Sequence, residues 1–222
     1  EEVREKIRSI AEELGYQQPS AARKSQNQKS YNIGILISER FLDKYESFYW
    51  QMYQAVATRA TAEECFTMLE VIGKAEEENG RMPKLVQERK VDGIIVIGKM
   101  MDAYLQHLNT EAGIPVIYMD YYNGREASDS VISNSYYGTY ELTYYLYRMG
   151  HRKIAYVGTL LAMESITDRY FGYQKALLEL GLEQKKEWVL DDRHIETGEI
   201  DTVNMLQIPK DMPTAFVCNC DL

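Results

Sequence analysis

The sequence predicts an α/β protein of two doubly wound parallel-sheet halves, preceded by a short helix and a polar linker. Two observations carry the fold class: short β-branched runs recur along the chain, and stretches with helical apolar spacing separate them. A third sets the organisation, because regular patterning begins only after a basic segment that ends near Ser30. With 222 residues, 45% apolar and 27% charged, the chain can bury one or two substantial cores.

In order along the chain, Val3, Ile7, Ile10, Ala11 and Leu14 fall at helical spacing, and Gly15 follows where a helix C-cap favours positive φ. That helix, spanning 1–16 with its cap, is too short to stand alone in water, so it is expected to pack on something that this chain does not contain. Residues 17–30, QQPSAARKSQNQKS, carry Arg23, Lys24 and Lys29 and no acid. This reads either as a solvated linker or as a segment that orders on DNA. Strands are then expected at Ile33 to Ile37, Phe66 to Ile72, Gly93 to Ile97, Val116 to Met119, Ile154 to Val157, Trp188 to Leu190 and Ala215 to Cys218. Helices are expected between them, at Ser47 to Ala62, Met82 to Lys90, Met101 to Asn109, Tyr136 to Met149, Asp168 to Leu180 and Thr197 to Leu206. The two halves divide as 31–135 and 136–222, and the second stops just after a strand, where a further helix is expected; its carboxyl end reads as truncated.

Several functional classes are disfavoured. The net charge of −9 argues against a surface that coats nucleic acid broadly, so any DNA contact must be local. No apolar stretch approaches the roughly 20 residues of a membrane span, and the charged start, EEVREK, lacks the core of a secretory signal. Cys65, Cys218 and Cys220 form an odd set without disulfide or zinc spacing, which points to a reducing cytoplasm. Neither a glycine-rich nucleotide loop, GxSxG nor HExxH occurs, and His107, His151 and His194 fall on separate elements. No catalytic residue, metal site or cofactor is expected. An acid/base pair such as Asp120 and Asp221 stays possible in principle, but no nucleophile or metal cluster accompanies it.

Ligands of open parallel sheets collect beyond the carboxyl ends of strands, which directs attention to 38–41, 98–101, 120–122 and 159–168. Of eighteen tyrosines, Tyr45, Tyr49, Tyr118, Tyr121 and Tyr122 fall near presumed strand ends, where amphipathic rings suit sugars. Tyr136, Tyr137, Tyr140, Tyr144 and Tyr147 follow helical spacing instead and are expected to pack on a sheet or a partner subunit.

Taken together these segments resemble the lactose/galactose repressor (LacI/GalR) family. REKIRSIAEELGY is similar to its last headpiece helix and PSAARKS to its hinge; NIGILIS, VDGIIVIG and IPVIYMD are similar to core strands. GHRKIAYVG followed by DRYFGYQKALLELGL, and then PTAFVCNCDL, complete the match in order and with sensible spacing. The resemblance implies a periplasmic-binding-protein-like core, a homodimer, and a small effector, often a sugar, held between two subdomains and coupled to operator DNA through the hinge. Carried over position by position, it implies effector contacts at Arg169, Asp120, Tyr49, Phe48, Ser165, Arg193, Cys220 and Asp221, and hinge contacts at Ala21, Ala22, Arg23 and Lys24.

Three departures stand out. Cys220 occupies the place of the family's Asn before Asp221, replacing an amide with a weakly polar thiol. Near DDRHIETG, Arg193 or His194 stands where an aromatic platform is expected, which favours an anionic or strongly polar effector. The hinge has Lys24 or Ser25 near the place of a groove-wedging leucine, which points to weaker or different DNA bending. The competing readings are an extracytoplasmic sugar-binding protein of a transporter, which would run from a signal straight into the first strand, and a doubly wound enzyme, for which no motif is present.

Overall fold

The computed structural model describes residues 5–6, 10, 31–42, 48–124, 128–195 and 198–220. The expected hinge, with Ala21, Ala22, Arg23 and Lys24, and most of the headpiece helix lie outside the described residues, as does Asp221. Two parallel sheets organise the rest, and they form two doubly wound subdomains.

The first sheet is built from β1 (Asn32–Ser38), β2 (Phe66–Ile72), β3 (Gly93–Ile97), β4 (Val116–Met119) and β5 (Asp129–Val131), in the order β2-β1-β3-β4-β5. Every pairing is parallel. β1 lies between β2 and β3, with Ile35 facing Leu69 on one side and Ile95 on the other. Covered on both faces, it needs apolar residues at every position, which is why Ile35, Leu36 and Ile37 are all fully buried. The edge strand β2 alternates instead, leaving Phe66 and Met68 exposed. β5 is three exposed residues and has no apolar signature, so nothing in the sequence announced it.

Helices α1 (Phe48–Ala62), α2 (Lys74–Glu78), α3 (Lys84–Gln87) and α4 (Asp102–Glu111) cover this sheet. Met52, Tyr53 and Val56 of α1 pack on Ile35, Ile37 and Ile97. On the opposite face Leu36 and Val96 meet Tyr104, Leu105 and Leu108 of α4. The helix expected over Met82 to Lys90 is a single turn, because Pro83 starts it and Arg89, at φ 52°, ends it. α2 escaped the sequence reading since KAEEE has no apolar period. Its buried Glu77 nonetheless ties the site region together, accepting from the Ser38 hydroxyl and from the Met101 backbone N–H.

The second sheet contains β6 (Ile154–Val157), β7 (Val189–Leu190) and β8 (Ala215–Cys218) in the order β7-β6-β8, repeating the centre of the first. Trp188 belongs to the 3₁₀ turn before β7 rather than to the strand. The helices here are α5 (Ser135–Arg148), α6 (Glu164–Glu179) and α7 (Thr202–Met205). α6 starts at Glu164, four residues ahead of the expected Asp168. α7 is one turn where about three were expected, since Leu206 turns extended, at ψ 100°, and Pro209 follows.

α5 and α6 cross with their backbones in contact. A Cβ on Gly172 would stand 2.0 Å from the Tyr136 carbonyl oxygen. Such a close crossing selects small side chains, and the buried positions of α5 are Ser135, Thr139 and Thr143. The tyrosines of α5 therefore do not line a sheet, one of the two settings expected for them. Tyr137 and Tyr145 are more than half exposed, while Tyr140 and Tyr144 donate to Glu179 of α6. No helix among the described residues is long and apolar enough to cross a membrane.

Candidate functional site between the two sheets

The carboxyl ends of the two sheets meet across a crevice. From the first come Phe41 in the 3₁₀ turn after β1, Gly98 and Lys99 after β3, and Asp120 to Tyr122 after β4. From the second come Thr159 after β6, the first turn of α6, Asp192 and Arg193 after β7, and Asn219 and Cys220 after β8. The rings of Phe41 and Tyr49 pack 4.5 Å apart and touch both the core under α1 and the core of the second subdomain. Gly98, at φ 77°, makes room for them: a Cβ there would come within 3.0 Å of both rings.

Asp120 is the centre of the first wall. It is buried and adopts φ 57°, a left-handed conformation that Asp tolerates better than most residues, while its N–H donates to the Val131 carbonyl. Its carboxylate accepts from the Tyr49 hydroxyl at 3.1 Å. Burial pushes the Asp120 carboxyl up from its usual range, opposed by the Tyr49 hydrogen bond and the positive charge of Arg169. The Tyr49 hydroxyl is likewise pushed well above normal, by burial first and then by the neighbouring Asp120 charge.

The second wall opposes it with the start of α6. Glu164, Ser165 and Asp168 face Asp120, Tyr122 and Ser133 across the crevice. Two contacts span it: Lys99 Nζ lies 2.9 Å from Glu164 Oε1, and the Tyr122 hydroxyl donates to Asp168 at 2.8 Å. Glu164 Oε2 is a buried acceptor with no hydrogen-bond partner among the described residues. The space between the walls is about 10 Å³, room for one water. A larger ligand requires the walls to part.

Beside the crevice, Thr159, Asp192, Arg193, Asn219 and Cys220 form one network. Arg193 engages Asp192 through Nε and Nη2, and its Nη2 also reaches Asn219 Oδ1 at 2.9 Å and Cys220 Sγ at 3.3 Å. Burial raises the Asp192 carboxyl, but hydrogen bonds from Arg193, Asn219 and the Thr159 N–H outweigh it and leave the group below the usual carboxylate range. The charge expected to mark an anionic effector is thus already neutralised at Arg193, and His194 faces Asp201 at 3.5 Å.

Of the residues singled out from sequence, Asp120, Tyr49 and Ser165 meet at the crevice, Arg169 lies one turn further along α6, and Arg193 and Cys220 join at its side. Phe48 is 56% exposed and meets Tyr49 edge-on. Tyr118 and Tyr121 are core residues, held by Asn109 and Asp102. Sequence reading passed over Glu164, Lys99, Asp168 and Asp192, although the first three fall in strand-end segments where polar residues are a signal. Among the described residues no group of three or more His, Cys, Asp or Glu could hold a metal.

This arrangement has known counterparts. Residues 30–222 match the family described as periplasmic binding proteins and sugar binding domain of LacI family. The chain belongs to that family. Among LacI-type relatives, a transcriptional repressor PurR of Glaesserella parasuis is 31% identical over 147 residues, covering 66% of this chain and 43% of its own length. A PurR repressor of Erwinia tasmaniensis is 26% identical over the whole of this chain and 64% of its own length. A transcriptional regulator CelR in complex with cellobiose superimposes with a TM-score of 0.63 at 25% identity, over 85% of this chain and 56% of that one. The chain thus spans less than two thirds of the length of these relatives.

Proposed function

We propose that this chain is the effector-binding core of a cytoplasmic transcriptional repressor, and that its crevice takes a small hydroxyl-rich effector, a sugar or sugar derivative. One observation carries the reading: Asp120, already hydrogen-bonded by Tyr49, and Ser165 of the other subdomain line the same crevice, and Arg169 follows Ser165 by one helical turn. A carboxylate accepts hydroxyl protons, and a guanidinium fork donates to adjacent oxygens, so a polyol bound between them is gripped from both sides. A ligand that binds one degree of closure better shifts the population towards it by its differential affinity. The cellobiose of CelR and the repressor names of the curated relatives support the same reading.

The relayed movement is proposed to act through a hinge at 17–30, with Ala21, Ala22, Arg23 and Lys24 at operator DNA, and through a homodimer. Phe66, Met68 and Val71 on the edge strand and Trp50 on α1 are exposed apolar residues suited to a second copy. The rival, a transporter's sugar-binding protein, shares the fold, but the PurR likeness extends through residues 1–30 as well. Both readings are of a non-enzyme.

A thermal-shift screen against mono- and disaccharides, sugar acids, sugar phosphates and nucleobases tests the site. A compound that raises the melting temperature of the wild type and leaves Arg169→Ala unmoved supports the crevice as the effector site. Failure of every sugar in the panel to shift the wild type overturns the carbohydrate assignment.

A further inference from the structure

A cavity of about 730 Å³ opens in the second subdomain and shares only Thr159, among the described residues, with the strand ends that face the crevice. One wall is α6, through Tyr170, Tyr173 and Gln174; another is the edge strand β7 at Val189; the third is formed by Ile195 and by Met205 of α7. Its size falls within the roughly 300–1,000 Å³ of small-molecule sites. Two features leave this space open: among the described residues β7 ends its sheet with nothing paired beyond it, and α7 stops after one turn.

Polar groups at the cavity include Gln184, Lys185, Lys186, Asp191 and His194 as well as the Tyr170 hydroxyl. The Tyr170 hydroxyl accepts from Gln174 Nε2, which leaves its own proton available to a ligand. Lys185 is engaged by Asp211 and Glu183 and lies over the Trp188 ring. Its neighbour Lys186 lines the cavity and has no carboxylate partner among the described residues. Asp191, exposed at the same rim, disfavours a second negative charge there.

We propose that this cavity is a second ligand site, separate from the crevice, for a small aromatic monoanion whose ring lies against Tyr170 and Tyr173 and whose charge meets Lys186. The site is placed to be felt at the crevice. Thr159 lines the cavity, and its hydroxyl accepts from the backbone N–H groups of Asp192 and Arg193, the residues that hold Asn219 and Cys220.

Fluorescence titration with anilinonaphthalene sulfonate, itself an aromatic monoanion, tests the proposal. Saturable binding to the folded protein is expected to weaken about tenfold in Lys186→Glu, the weight of one charged hydrogen bond. It should also weaken in Met205→Trp, which narrows the cavity, and persist in Arg169→Ala. Absence of saturable binding, indifference to both Lys186→Glu and Met205→Trp, or loss in Arg169→Ala overturns it. Where Met205→Trp shows no cooperative melt, the exposed Lys186 variant decides alone.

Discussion

The Tyr49 hydroxyl lies 3.1 Å from Asp120 Oδ2, and this one bond joins the start of α1 to the end of β4. It stabilises a carboxylate that burial otherwise disfavours, so the ionised Asp120 is held at a cost to the fold.

Asp120→Asn keeps an acceptor for Tyr49 and removes the buried charge. Because the folded-state pKa of Asp120 is raised, its penalty is absent below the unfolded carboxyl value of about 3.9 and complete above the folded value. The variant is therefore expected to melt as high as the wild type or higher at pH 7, and to lose that advantage towards pH 4. Its response to any crevice ligand should be lost. Melting curves across this pH range check the first point, and a variant less stable at neutral pH refutes it.

Asp192→Asn should behave in the opposite way. Asp192 and Arg193 have side chains only 4% and 11% exposed, and breaking a buried pair leaves an uncompensated cation, a loss of about 3 kcal/mol. The depressed carboxyl contributes stability above the unfolded value and loses it as the pH falls through the folded one, so the deficit should be largest near neutrality and shrink below about pH 4. Urea unfolding at several pH values reads both the size and the sign.

Gly172→Ala offers a test of the helix crossing. Alanine favours a helix by up to about 1 kcal/mol over glycine. Here its methyl would meet the Tyr136 carbonyl, and forcing α5 from α6 should cost about 3 kcal/mol or more. A neutral or stabilising result in urea would show that the helices do not touch at this point.

The proposed dimer face predicts a change of mass. Phe66, 63% exposed on the sheet edge, tolerates a charge in the monomer, but Phe66→Glu would place two carboxylates in the interface. Sedimentation is expected to show a dimer for the wild type and a monomer for the variant, with the melting profile of a folded chain.

Much of the core was legible because its strands are buried on both sides and so read as unbroken apolar runs, as at Ile33 to Ile37 and Ile94 to Ile97. The failures share a physical cause. β5 lies exposed at an edge and α2 is a charged single turn, so neither needs an apolar period. At α5 the helix was legible but the sheet setting for its tyrosines was not met, because Gly172, on another helix, decides which face is buried in this chain. In the candidate site, Asp120, Arg169, Arg193 and Cys220 were singled out through resemblance and position. The network that joins Arg193 to Cys220 was not legible, because Asp192 and Asn219 come to them only when β7 and β8 flank β6.

The left-handed backbone at Asp120 narrows the routes by which the proposed effector site can change. Glycine, asparagine and aspartate are the residues that adopt such a conformation readily. Retaining the carboxylate, trading it for an amide or deleting the contact with glycine keeps that conformation at least cost, whereas a β-branched replacement is strained by the backbone before chemistry is considered. Across the crevice, Ser165 and Asp168 sit on an ordinary helix that accepts almost any side chain. Divergence in ligand preference is accordingly expected to accumulate on the α6 side while the Asp120 side stays fixed.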